Sequence, residues 1–118
     1  MKIFDCFMYY DEELILDLRL NLLNDYVDEF IIVESSYTHS GEHRKPLFDI
    51  NKYSKFKNKI NYILLEDLPS NLSIINEKDS ADSKNSKIIL NALKRENSQR
   101  DTLYQGIKSA SAEDLIII

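Results

Sequence analysis

Residues 30–33, Phe-Ile-Ile-Val, run straight into Glu34-Ser35-Ser36-Tyr37-Thr38-His39-Ser40-Gly41, and this stretch constrains the chain more than any other. Four consecutive large apolar residues without alternation fit a strand buried on both faces, as in a parallel sheet covered by helices. Such sheets bind ligands just beyond the carboxyl ends of their strands. The polar half of the stretch is therefore where a ligand is expected, and Gly41 lets the backbone turn there. The competing reading is an ordinary strand followed by an ordinary loop, and pattern alone leaves both open.

The flanking segments agree with a layered α/β chain. Lys2–Tyr10, rich in Ile, Phe, Met and Tyr, reads as a first strand. Asp11, Glu12 and Glu13 then supply a cap candidate and negative charge for a first helical turn. Apolar residues recur at Leu14, Ile15, Leu18 and Leu22, widened by Leu16, Leu20 and Leu23, which predicts a helix over 14–23 with a broad buried face. A second strand follows over 27–35, and strand–helix–strand order fits a right-handed parallel unit. Residues 42–59 are mixed: Pro46 breaks regular structure, Leu47 and Phe48 are expected to pack down locally, and Lys52, Lys55, Lys57 and Lys59 read as a solvated face. A third strand is expected over 60–66 and a mobile surface loop over about 70–87. A long helix over 86–109 takes a periodic apolar edge from Ile89, Leu93, Leu103 and Ile107.

The polar middle of that helix carries Arg95, Gln99 and Arg100. Arg95 and Gln99 stand four apart and share a face. Arg100 lies roughly 140° round from Arg95, at about 100° per residue. The bland reading is a solvated face. The functional one is a set of donors for a phosphate or a sugar hydroxyl, for which the arginine fork is suited. The chain closes on Leu115-Ile116-Ile117-Ile118, a buried-strand pattern without polar closure, which reads as the front portion of a longer protein.

Composition removes several classes. With 118 residues, the chain suits one domain with a real core. A net charge of −5 and dispersed basic residues argue against nucleic acid as a partner. The single cysteine, Cys6, rules out an internal disulfide and lies in an apolar stretch, as a core thiol does. No signal peptide or membrane-length apolar run is visible, so the expected compartment is cytoplasmic. With two glycines, Gly41 and Gly106, neither a P-loop nor a dinucleotide fingerprint can be written. His39 and His43 are four apart, but Gly41 between them speaks against a helical metal face. Glu66-Asp67 reads as a solvated turn before a catalytic pair, and Ser35 and Ser36 have no evident base in sequence.

Several motifs in order carry a resemblance: MKIFDCFMYYDEELILDLRLNLL, VDEFIIVESSYTHSG with the following KPL, and RENSQR ahead of EDLIII. Together they resemble glycosyltransferase family 17, whose animal members are the β-1,4-mannosyl-glycoprotein N-acetylglucosaminyltransferases that add bisecting N-acetylglucosamine to N-glycans. The resemblance covers nearly the whole chain except the loop around 70–87. It implies a GT-A-like (Rossmann-like) α/β fold, a mainly parallel sheet flanked by helices and cut off at its C-terminus. It also implies transfer of a sugar, N-acetylglucosamine by resemblance, from a UDP-sugar donor to a glycan acceptor. By position, Glu34, Ser35, Thr38 and His39 look like the site edge after the second strand, and Arg95, Gln99 and Arg100 like donor contacts on the long helix. Ser98 departs from the pattern, since the family usually holds an aromatic residue there. The family continues into an acidic DxD-type segment that would hold a divalent metal, Mn or Mg, on the diphosphate. That implied metal takes its ligands outside this chain, so little or no transfer by these residues alone is expected.

Two function classes stand side by side: an amino-terminal glycosyltransferase part, and a non-catalytic relative acting as a binding or interaction module. An unrelated α/β domain of flavodoxin-like shape is a distant third. The animal relatives are Golgi membrane proteins, and this chain shows no anchor, so a bisected N-glycan product is not assumed. Self-association through the C-terminal strand edge is a further expectation.

Overall fold

The computed structural model describes residues 1–118. Strands β1 (Ile3–Tyr9), β2 (Glu29–Ser35), β3 (Ile60–Leu65) and β4 (Leu115–Ile117) form one sheet. Their order is β3-β2-β1-β4, and every pairing is parallel. Helix α1 (Glu13–Leu23) joins β1 to β2, a 3-10 segment (Ile50–Lys59) precedes β3, and helix α2 (Ala81–Gly106) leads from β3 to β4. The first two connections step outward from β1 in one direction, and the third returns across β1 to its other side. Right-handed crossovers force that reversal to put α2 on the opposite face from α1. The α/β Rossmann-like architecture is therefore present, with β1 at the point where strand order reverses.

Strand alternation divides the core into two layers. On the α1 face, Tyr9, Phe30 and Ile32 pack with Leu16, Leu20, Val27, Tyr53 and Phe56. On the α2 face, Phe4, Cys6, Ile31 and Val33 pack with Leu103. Cys6 is a buried free thiol, pushed up to about 11 chiefly by burial, so it is a core residue and not a nucleophile. Gly106 permits the close approach of α2 to β2, because a Cβ there would stand 2.3 Å from Cγ2 of Ile31.

Three sequence expectations change in this setting. On α1, the buried leucines are Leu16 and Leu20, while Leu14, Ile15, Leu18 and Leu22 are exposed. Bidentate pairing of Arg19 with the fully buried Asp5, and its guanidinium 4.2 Å from the Phe7 ring, belong to the packed side. The long helix begins at Ala81, capped by Ser80, and ends at Gly106, not over 86–109. Its apolar edge is engaged only in the second half: Leu103 is buried, whereas Ile89 and Leu93 are exposed. Residues 70–80, together with the first turns of the helix that follows, are tied by specific bonds. Asn91 exchanges both amide hydrogen bonds with the backbone of Ser73, Lys94 donates to the Asn71 carbonyl, and Lys87 donates to the Ile74 carbonyl and to Asp79.

The 3-10 segment had no counterpart in the sequence pattern. It buries Tyr53 and Phe56, and Phe48 stacks on Tyr62 at 4.6 Å. Lys59, read as solvated, donates to the carbonyls of Asn24 and Val27 at the end of α1.

Candidate functional site

A cavity of about 510 Å³ opens at the carboxyl ends of β1 and β2, where a sheet of this topology takes ligands. One wall is the β1–α1 turn, with Tyr9, Tyr10 and Glu12. Glu12 folds back so that its Oε2 accepts from the backbone N–H groups of Tyr10 and Asp11. The opposite wall is the loop after β2, with Ser35 and Tyr37 to Ser40, closed by Gln99 from α2.

That loop is a short hairpin. Tyr37 pairs with His43, the Thr38 N–H donates to the Glu42 carbonyl, and the Thr38 hydroxyl accepts from the Glu42 N–H. Gly41 turns it at φ 95°, in the left-handed region. Two α2 side chains hold its tip. Arg95 donates from Nη1 to the His39 carbonyl at 2.9 Å, and Gln99 Oε1 lies 3.1 Å from His39 Nε2. Gln99 is buried and anchors to β2 by donating to the Val33 carbonyl at 3.2 Å. The Arg95 guanidinium lies against Gly41, and its Nε is buried without a partner.

Arg44 ties the base of the site together. It donates to Glu34, to the Ser35 carbonyl and to the Tyr10 carbonyl, with its guanidinium 4.5 Å from the Tyr10 ring.

Of the residues singled out in sequence, Ser35, Thr38, His39 and Gln99 line the cavity, and Arg95 braces the hairpin from behind. Glu34 does not reach it. Alternation sends Glu34 to the α1 face and Ser35 to the α2 face. The Glu34 carboxylate is fully buried and accepts from Arg44, the Leu47 and Phe48 N–H groups and the Tyr62 hydroxyl. That is a buried carboxylate with its acceptor sites satisfied. Arg100 is exposed and pairs with Glu96, away from the cavity, as its angular offset predicts. Ser98 lines a separate polar cleft with Asn97, Asp101 and Gln105. Tyr37 and Ser40 fall in the polar stretch where a ligand was expected, whereas sequence reasoning missed Met8, Tyr9, Tyr10, Glu12 and Arg44. The signals available were the acidic turn after β1, read only as a helix start, and Arg44 inside a short basic group.

Chemically, the cavity offers hydroxyls, an amide, an imidazole and tyrosine rings, a set suited to a polyhydroxylated ligand with a flat moiety. Nowhere are three or more His, Cys, Asp or Glu side chains gathered as a metal cage.

The model of glycosyltransferase family 17 matches residues 1–118, the whole chain. The chain belongs to glycosyltransferase family 17. No curated protein and no solved structure matches it significantly. Membership of family 17 supports a glycosyltransferase-like function, with a sugar donor and an acceptor as substrates. No helix of this family 17 chain is long and apolar enough to cross a membrane.

Proposed function

We propose that the cavity at the carboxyl ends of β1 and β2 is the donor site of a glycosyltransferase that transfers a sugar from a UDP-sugar to a glycan hydroxyl. The donor sugar is N-acetylglucosamine by resemblance. The observation that supports this reading is the position of the cavity. A polar, tyrosine-lined cleft of about 510 Å³ lies at the strand reversal of a Rossmann-like sheet, in a chain matched to the family over its full length. Aromatic faces at Tyr10 and Tyr37 suit a base or sugar ring, and Thr38, Ser40 and Gln99 suit ribose or sugar hydroxyls. A divalent cation, Mn or Mg, belongs to the proposal with ligands from outside these residues, and no step is routed through it.

A second reading keeps binding and drops transfer. In it the chain is a non-catalytic relative that holds a ligand in the same cavity.

Isothermal titration of UDP and of UDP-N-acetylglucosamine, with and without manganese, tests both, followed by amide shift mapping. Saturable binding that moves residues 35–40 and Gln99 supports the donor site. No saturable heat with either ligand, or shifts confined to other surfaces, would sink it. Donor binding without transfer to any offered glycan leaves the second reading standing.

A further inference from the structure

The bonds around His39 fix more than its position. The Val33 carbonyl can only accept, so the amide group of Gln99 that meets it must be the NH2. Gln99 Oε1 therefore faces His39, and an oxygen of this kind also can only accept. His39 Nε2 must then carry the hydrogen. A neutral imidazole holds one N–H, so Nδ1 keeps a free lone pair. None of the protein's hydrogen bonds uses Nδ1, and the ring is exposed at the cavity wall. Arg95 pins the backbone of the same residue through its carbonyl, and the Thr38 bonds stiffen the turn around it.

We propose that His39 Nδ1 is the proton acceptor for the attacking hydroxyl in this cavity, and that Gln99 is the positioning residue that holds the ring in the Nε2–H form. The proposal rests on the transferase reading above. In the step, the acceptor hydroxyl passes its proton to Nδ1 as its oxygen forms the bond to the anomeric carbon. The bond from that carbon to the phosphate oxygen breaks, and its electron pair leaves on the nucleoside diphosphate. Imidazolium, glycoside and nucleoside diphosphate account for every atom and charge. The acidic side chain on the cavity wall, Glu12, already spends Oε2 on two backbone N–H groups. The charged neighbour from α2 is Arg95, which faces the His39 carbonyl and not its ring.

The test is long-range 1H–15N spectroscopy of histidine-labelled protein, with His43→Gln to separate the two histidines. The free protein is expected to show His39 with Nε2 protonated and Nδ1 bare. Nδ1–H, or two exchange-averaged nitrogens, would overturn the assignment. Gln99→Leu is expected to release the ring into an averaged pair. An unchanged Gln99→Leu spectrum removes Gln99 from its role. Should the leucine variant not fold, the wild-type spectrum still decides the tautomer. In the presence of UDP, titration of a simple methyl glycoside is expected to move the Nδ1 resonance and leave Nε2 in place. An unmoved Nδ1 overturns the proton-acceptor role. Failure of UDP-sugar binding with the Nε2–H form intact counts against the transferase reading alone. Binding with Nδ1 protonated counts against this proposal alone.

Discussion

Glu34 and Ser35 are neighbours in sequence with separate fates. Pleating alone turns one toward α1 and the other toward α2. Glu34 is thus an internal anchor, compensated by Arg44, whose side chain is only 10% exposed. Removing one partner of such a pair leaves the other charge buried. Glu34→Ala is expected to cost about 3–5 kcal/mol, read from urea unfolding. A loss within experimental error of zero would show that water replaces the carboxylate. At Gly41 two demands coincide: φ is 95°, and a Cβ would lie 2.7 Å from the Arg95 guanidinium. Arg95 can swing aside, but the left-handed backbone cannot be relieved so easily. Gly41→Ala is expected to cost about 1–2 kcal/mol and to loosen the hairpin tip. The first is measured by unfolding and the second by amide exchange at residues 38–42.

Among elements, α1 shows how packing chooses between faces that sequence leaves equivalent. Its apolar residues run most of the way round, and only contact with the sheet selects Leu16 and Leu20 over Leu14, Leu18 and Leu22. Leu16→Ala and Leu20→Ala are each expected to lose about 2–5 kcal/mol. Leu18→Ala is expected to stay within about 0.5 kcal/mol of the parent. Equal losses at Leu18 and Leu20 in thermal or urea unfolding would contradict the assigned face. Helix α2 shows the same choice along its length. At about 1.5 Å per residue, its 26 residues extend roughly 39 Å. Only the second half meets β2, where Gly106 and Leu103 sit against Ile31 and Val33. The half before Arg95 is coupled to the segment after β3 by Asn91, Lys87 and Lys94, so polar side chains and not the core hold it there.

At the scale of the molecule, the projecting half of α2 makes the shape elongated. The Cα radius of gyration is 16.9 Å, against about 13.5 Å for a compact chain of this length. Tyr9 and Tyr53 are buried and Tyr62 is half-buried, and they give the whole fold an alkaline limit. Burial raises Tyr9 to about 12. Burial and the bond to Glu34 raise Tyr62 further, and burial also raises Tyr53. A hydroxyl raised in the folded state contributes fully below its unfolded value, near about pH 10, and loses that contribution as pH climbs through the folded value. Urea midpoints are therefore expected to hold up to about pH 10 and fall above it. Tyr62→Phe is expected to flatten that fall while lowering stability at neutral pH, since it strips one donor from Glu34. A midpoint insensitive to alkali would show the rings to be solvated.

The chain's own letters determined what depends on local pattern. The unalternated run at 30–33 required a strand covered on both faces, the order of strands and helices required a parallel sheet, and the motif set pointed to the family. The spacing of Arg95 and Gln99 placed them on one face of a helix and Arg100 on another. Tertiary structure alone decided which leucines of α1 meet the sheet, since a helix apolar on most of its surface carries no internal signal for its buried side. It also decided that Glu34 lies inside, that Arg44 reaches three segments at once, and that Gln99 sets the ring of a histidine 60 positions away. Those outcomes depend on contacts between residues distant in the chain, and such contacts leave no periodicity in the sequence to be read.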